Sequence, residues 1–247
     1  MSQESPATAA SEASRRPLHA MFTKVPRRYD LVNRTISLGM DERWREAAAR
    51  ACLEGAPRRV LDLCCGTGDL AVRLKRSGGA AVAVAGLDYS RPMLEIARRK
   101  AAERGLQIDF VHADAAAMPF PDGHFDRVGI SFAFRNLTFK NPMTPKYLAE
   151  TLRILRPGGR LVIVESSQPR QPVIRGLYHL YMRAFVAGVG GLLSGERAAY
   201  RYLGESAARF YGPDEVARIL KETGFAEVRS EALLFGAVRL FVATKAG

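Results

Sequence analysis

From residue 59 onward the apolar positions alternate between two textures. Short β-branched runs at 59–63 (RVLDL), 82–87 (VAVAGL), 108–112 (IDFVH), 125–131 (FDRVGIS) and 160–165 (RLVIVE) are separated by stretches in which apolar residues recur at helical spacing. That alternation predicts βαβ units on a mostly parallel sheet. Two further β-rich runs, 225–234 and 236–244, are joined tightly enough to form an antiparallel hairpin. The expected fold is α/β and Rossmann-like, with seven strands and a helical cap.

Helix boundaries follow from the breakers. Ser90 stands as a side-chain N-cap before Pro92, with Met93, Leu94, Ile96 and Ala97 apolar and Gly105 as the stop. A second helix is expected from Thr144 to Leu155, ending where Pro157-Gly158-Gly159 turns the chain into the next strand. A third follows Asp214 and stops at Gly224. The segment 170–210 leaves this rhythm, being mostly helical with an interruption at 188–195 (GVGGLLSG), and is expected to cap the substrate side of the sheet. Residues 21–57 read as an N-terminal helical cap carrying the lone tryptophan, Trp44, packed on the body. Residues 1–20 are expected to be a flexible tail ahead of a single domain over 21–247.

Composition narrows the setting. A hydrophobic fraction of 47% with 25% charged residues suits a soluble globular chain, so disorder is expected only at the edges. Three cysteines (Cys52, Cys64, Cys65) form an odd set whose adjacent pair cannot easily bridge to itself, which points to a reduced, cytoplasmic setting. No stretch reaches the roughly 18–20 apolar residues that span a bilayer. The net charge of +12 is spread along the chain with no basic arm, although 170–210 sets six arginines against two glutamates among Leu, Val, Tyr and Phe. Such a mixture suits peripheral contact with an anionic membrane at its inner face, and solvated helix faces explain it equally well.

Candidate chemistry begins at VLDLCCGTGDL, residues 60–70. Gly66-Thr67-Gly68 opens a G-x-G-x-x-A pattern after a strand, and Asp88 lies at the end of the second strand, where its carboxylate can accept ribose hydroxyls. Both features serve any adenosine-containing ligand. Asp62 and Asp69 flank the glycines and would oppose a pyrophosphate, whereas a sulfonium and an ammonium would be welcome there. With no Walker lysine after the glycines, the motif favours S-adenosylmethionine over NAD or ATP. Asp114, at the end of the third strand, and Ser131, at the end of the fourth, share the rim on which ligands of open α/β sheets bind. No metal ligand set is expected, and His112, His124 and His179 read as structural or exposed residues.

VLDLCCGTGDL, GLDYSRPMLEIAR, HADAAAMPFPDGHFDRV and LRILRPGGRLVIVES together resemble the class I S-adenosylmethionine-dependent methyltransferases. RRYDLVNRTISLGMDERWR (27–45), SFAFRNLT (131–138) and AYRYLGESAARFYGPDEVARILKETGF (199–225) are similar to the ubiquinone/menaquinone biosynthesis C-methyltransferases. The resemblance covers nearly all of 22–240. It implies cofactor contacts at Thr67, Asp88, the Asp114-Ala115 pair and Ser131, to which Asp62, Gly66, Gly68 and Tyr89 are added as cofactor-binding candidates; its Tyr-Asp-x-x-Asn element falls on Tyr29, Asp30 and Asn33, and the catalytic candidates are Arg135, Asn136, Tyr29 and Asp30. Three places depart from the family pattern: Ser166 stands in ESSQP where the family usually has an aromatic, TFKNPMTPKY carries about four extra residues, and the C-terminal hairpin lacks the usual glycine-rich run. All lie toward the expected acceptor side.

The implied reaction is C-methylation of a prenylated quinol ring, demethylmenaquinol foremost, with no metal. Arg135 is expected to stabilise the developing ring anion directly or through a water held by Asn136, with Tyr29 or Asp30 closing the site. The structural alternative for Arg135 is an Arg–Asp pair pinning the fourth strand to the N-terminal helix. Other functions stay open: methylation of a phenol, sterol or polyketide, or cofactor binding without catalysis. Nucleic acid is not expected as a partner, because the fourth strand ends SFAFRN and not in the Asn/Asp-Pro-Pro-aromatic that holds a base amine. Benzoquinol versus naphthoquinol, the isoprenoid length and homodimer formation are left undecided.

Overall fold

The computed structural model describes residues 26–194 and 197–247, with the side chains of 26–29, 194 and 197–199 left aside. The expected tail over 1–20 lies outside the described residues. Seven strands, β1 (Arg59–Leu63), β2 (Ala83–Asp88), β3 (Asp109–His112), β4 (Phe125–Ser131), β5 (Leu155–Ser166), β6 (Phe225–Leu233) and β7 (Val238–Lys245), form one sheet in the order β3-β2-β1-β4-β5-β7-β6. The first five run parallel, and β7 is antiparallel to both β5 and β6. Chain order reverses between β1 and β4, which opens a crevice at their carboxyl ends.

Strand alternation places the core on both faces. Leu61, Leu63, Ile130, Ile163 and Phe241 point to one face, and Val60, Val84, Val162, Val164 and Val242 to the other. Helices α2 (Asp41–Leu53), α3 (Asp69–Gly78) and α4 (Arg91–Ala102) cover the valine face through Ala48, Cys52, Leu70, Leu74, Leu94 and Ala97. After a short α5 (Phe134–Thr138), α6 (Thr144–Ile154) covers the leucine face together with a later helix, Pro213–Thr223.

Two local expectations are corrected. Ser90 precedes α4, but its hydroxyl makes no capping bond; the backbone N–H of Ser90 donates instead to Asp88 Oδ1. The Pro157-Gly158-Gly159 turn is a bulge inside β5, because Leu155 already pairs with Phe125 and the register shifts only afterwards.

The cap is built from α7 (Pro172–Tyr181), a π-helical turn (Met182–Val186), α8 (Ala187–Ser194) and α9 (Arg197–Ala208). Of the interruption expected over 188–195, positions 188–194 are helical in α8 and Gly195 lies outside the described residues; the irregularity falls on the π turn before. Gly190 allows close approach, since a Cβ there would lie 2.4 Å from the ring of Tyr200. The cap also packs on α1 (Pro26–Ile36), where Val32 and Ile36 meet Tyr200, Met182 and Leu203. The Tyr181 hydroxyl donates to the carbonyl of Ile36. The N-terminal and C-terminal caps are therefore one lid over the crevice.

Candidate active site

β1 passes into α3 through three left-handed residues, Cys64 (φ 56°), Gly66 (φ 52°) and Gly68 (φ 78°). The two glycines serve different ends. A Cβ on Gly66 would meet nothing within 4 Å, so that glycine leaves the loop open to the crevice. On Gly68 it would stand 2.9 Å from Ala97 Cβ and 3.3 Å from the Phe110 ring, so this glycine lets α3 seat against α4 and β3. Gly68, expected among the cofactor contacts, does not line the cavity; its packing role leaves it behind the loop.

Beneath the loop Asp62 is 1% exposed and accepts the Ala71 N–H at 2.9 Å. Burial, with the charges of Asp88 and Asp69 assisting and the Ala71 N–H opposing, pushes its carboxyl up to about 8. Asp69 reaches Lys100 Nζ at 2.5 Å and Arg45 at 3.8 Å. The expected acid-lined turn is thus corrected in part: a raised pKa weakens one carboxylate and two cations balance the other, so repulsion of a diphosphate is smaller than the residue count implies.

Asp88 holds its two oxygens on the N–H groups of Gly66 and Ser90, both at 2.8 Å, and burial raises its pKa. Those bonds fix the carboxylate beside the loop with lone pairs to spare for hydroxyls. Asp114 accepts the Ala116 N–H at 2.8 Å, which presents the Asp114-Ala115 backbone at the rim. Ser131 ends β4 with its hydroxyl buried and without a hydrogen-bond partner among the described residues. Tyr89 is half exposed beside His112, whose Nε2 meets the Tyr89 carbonyl at 2.8 Å.

The N-terminal element closes on the loop by direct contact. The Thr67 hydroxyl donates to Asp30 Oδ1 at 2.7 Å, while Lys100 Nζ lies 2.6 Å from Asp30 Oδ2 and 3.0 Å from Thr67 Oγ1. Asp30 lies outside the cavity wall, and Asn33, one turn further along α1, is in it. Asp30 therefore positions the loop. Tyr29 belongs to α1, and its side chain is outside the described residues.

At the opposite end, Arg135 is 6% exposed on α5. Its Nη1 donates to Glu165 Oε1 at 3.3 Å and to Ser166 Oγ at 3.1 Å, and its backbone N–H donates to Glu165 Oε2 at 3.0 Å. The ion-pair partner is thus the fully buried carboxylate ending β5, and the expected alternative of a pin to the N-terminal helix is replaced. Ser166 Oγ donates to the same Glu165 Oε1 at 2.8 Å. Asn136 stands beside Arg135 in the cavity wall. Tyr178, on the inner face of α7, brings its buried hydroxyl up to Arg135, Glu165 and Ser166.

One cavity of about 1030 Å³ joins the two ends. Its lining includes Asp62, Gly66, Thr67, Asp88, Tyr89, Asp114, Ala115 and Ser131 on the loop side and Arg135, Asn136 and Tyr178 on the cap side. Arg45 and Trp44 from α2 share it, as do Cys64 and Cys65, whose thiols burial keeps protonated. The histidines stand elsewhere: His124 stacks on Phe120, and His179 meets Gln168 at 2.8 Å. Sequence reasoning missed Arg45, Lys100 and Glu165, whose roles come from contacts between distant elements. Tyr178 is one of several tyrosines in the 170–210 segment, and nothing local in the sequence sets it apart.

The ubiE/COQ5 methyltransferase family model matches residues 8–245. A demethylmenaquinone methyltransferase of Thermus thermophilus is 47% identical over 90% of this chain and 98% of its own length, and one of Deinococcus radiodurans is 41% identical over 91% of each. A ubiquinone/menaquinone biosynthesis C-methyltransferase UbiE of Geobacter sp. is 37% identical over 96% of this chain and 99% of its own. Among solved structures, a SAM-dependent methyltransferase from Aquifex aeolicus (TM-score 0.53, 20% identity, 76% of this chain and 81% of that one) shares the fold. So does an O-methyltransferase family protein from Burkholderia thailandensis (TM-score 0.63, 13% identity, 89% and 60%). With the family model spanning almost the whole described fold and relatives matched end to end, the chain belongs to the ubiE/COQ5 methyltransferase family.

Proposed function

We propose that this protein methylates a ring carbon of a reduced, prenylated quinone with S-adenosylmethionine, demethylmenaquinol being the acceptor that the names of its relatives favour. The observation that carries this is the single cavity reaching from the glycine loop to Arg135 and the apolar inner face of α7. It offers one polar and one apolar compartment in contact, which is what a donor nucleoside and a hydrophobic ring require.

The loop half fits the donor. Asp88 is placed for ribose hydroxyls, the Asp114-Ala115 backbone for the adenine edge, and the unpartnered Ser131 and Ser90 hydroxyls for polar atoms of the ligand. Arg45 and Asp62 bring a cation and a titratable acid to the end that would hold the amino-acid tail. When bound, the donor supplies a methyl group on a sulfonium, and the net change replaces a ring C–H by C–CH₃ with release of one proton.

The chain's own work is orientation and electrostatics. Glu165 and Ser166 hold the Arg135 guanidinium through Nη1 in the cavity wall, which sets its positive charge beside the place where negative charge develops on the ring oxygen. The lid of α1 and α7–α9 covers that point and limits the water that reaches it. Arg135 remains a cation throughout, since arginine does not serve as a base near neutral pH.

The acceptor is dissolved in a membrane, and no helix among the described residues is long and apolar enough to cross one. A cytoplasmic enzyme resting on an anionic inner leaflet reconciles the two, with α7 as the element in contact. The deciding experiment gives purified protein labelled donor with demethylated naphthoquinol or benzoquinol. Methyl transfer to the naphthoquinol is expected; tight NAD or ATP binding with no transfer to either quinol would overturn the assignment.

A further inference from the structure

Four residues of the cavity wall carry a buried polar atom without a hydrogen-bond partner among the described residues: Ser90 and Ser131 on the loop side, Arg135 (Nε) and Tyr178 (hydroxyl) on the cap side. The first two are accounted for by the donor. The second pair has no such use, and leaving a buried donor unmet costs about 1–3 kcal/mol. A phenylalanine at 178 would pack as well at no such cost.

The surroundings narrow what the Tyr178 hydroxyl is for. Ser166 lies close enough to interact with it but outside good hydrogen-bond geometry, and the Ser166 hydrogen is already given to Glu165. Arg135 presents its positive charge on the same spot, while Glu165 is turned away onto Arg135 and the Ser166 backbone. Burial raises the tyrosine's own pKa, so it keeps its proton across the physiological range and acts as a donor. Two donors, one of them a cation close enough to act on the other, thus stand in the wall of one cavity, each with a polar atom unmet among the described residues.

We infer that the Tyr178 hydroxyl and the Arg135 guanidinium form an oxyanion site that binds the ring oxygen of the acceptor, making Tyr178 a catalytic residue contributed by the cap. This deepens the quinol methyltransferase assignment and rests on it. As the ring O–H ionises, its proton leaves to solvent and its electron pair spreads to the neighbouring ring carbon, which takes the methyl group as the methyl–sulfur bond breaks to leave a thioether; the ring carbon then gives up its own hydrogen as a proton and the oxygen regains one, so that one proton is released overall. Donation from Tyr178 and Arg135 stabilises that charge without either residue changing protonation state. The site also selects: an acceptor with no hydroxyl next to the methylated carbon leaves both donors unmet.

The test compares wild type with Tyr178→Phe, using Trp44, the lone tryptophan and a cavity residue, as a fluorescent reporter. Two probes are titrated: an anionic hydroxynaphthoquinone that mimics the ring oxyanion, and a neutral methylnaphthoquinone. The variant is expected to bind the anion about tenfold more weakly and the neutral ring unchanged, and to lose about 10²-fold in kcat with KM and donor affinity nearly unaltered. The acid limb of its pH–kcat profile should move to higher pH, because a less stabilised oxyanion forms later. Wild-type kcat and anion affinity in Tyr178→Phe would overturn the oxyanion site, and so would equal losses for both probes, which indicate packing alone. If the wild type itself methylates neither quinol, the functional assignment falls and takes this inference with it.

Discussion

Lys100 and Asp30, far apart in sequence, meet over the glycine loop, with Nζ 2.6 Å from Oδ2 and the Thr67 hydroxyl shared by both side chains. The contact ties α1, and through α1 the cap, to the loop that holds the donor. Each pair is partly exposed and worth little alone, about 0–1 kcal/mol, but Lys100 serves Asp30, Asp69 and Thr67 together. Lys100→Met is therefore expected to weaken donor binding about five- to tenfold in calorimetry and to speed amide exchange in α1. Unchanged exchange there would show that α1 is held by its apolar contacts alone.

The sheet was legible because its signals are local. Short apolar runs such as VLDL and RLVIVE, with breakers between them, mark strands whichever tertiary partners they find. The loop side of the site was legible for the same reason, since strand ends share one rim. The network around Lys100 was not: nothing near RRKAA signals that its lysine spans α4, the loop and α1. Glu165 was hidden differently, as a charged residue closing an apolar run, where its burial depends on Arg135 arriving from the helix that follows another strand. The break expected at 157–159, and the described part of the one expected over 188–195, show glycine used for a bulge and, at Gly190, for helix contact where a chain reversal would use the same residues.

Asp62 makes stability depend on pH. Its carboxyl titrates near 3.8 when unfolded and near about 8 in the fold, so between those values the folded state keeps a proton that the unfolded state has lost. Stability from this group is full below the lower value and declines as pH rises toward the upper one. Asp62→Asn removes the decline while its amide oxygen can still accept the Ala71 N–H. Its melting temperature should match wild type near pH 4 and exceed it by several degrees at pH 8, at about 2–4 °C per kcal/mol for a chain of this size. A gap that stays constant with pH would mean that Asp62 titrates as an ordinary carboxylate. Donor affinity should fall in the same variant, which loses the ionisable acid under the loop.

The two loop glycines separate stability from binding. Gly68→Ala puts a methyl 2.9 Å from Ala97 Cβ at a φ of +78°, combining a left-handed penalty with overpacking, and should cost about 2–4 kcal/mol in denaturant unfolding. Gly66→Ala, at a φ of +52° with nothing within 4 Å, should cost only about 1 kcal/mol while its methyl intrudes on the cavity and weakens donor binding. Reversal of the two patterns would mean that Gly68 is the ligand contact after all.

α7 is apolar on both sides. Ile174, Leu177, Tyr178 and Tyr181 line the cavity, yet Val173 and Leu180 stand 69% and 63% exposed outside its wall, and Phe235 in the β6–β7 turn is 79% exposed. Apolar side chains so placed on a helix are normally enclosed. Exposed Arg175 within α7 and Arg183 just beyond it add positive charge, the pattern of an element lying in an anionic interface. Val173 and Leu180 lie outside the cavity wall, so Val173→Ser/Leu180→Ser tests the surface without touching the site. The double variant should lose about tenfold in sedimentation with anionic liposomes and in methylation of long-chain quinol held in vesicles, and keep its rate on a short-chain, water-soluble naphthoquinol. Equal rates on both acceptors, with liposome binding intact, would place the membrane contact elsewhere on the molecule.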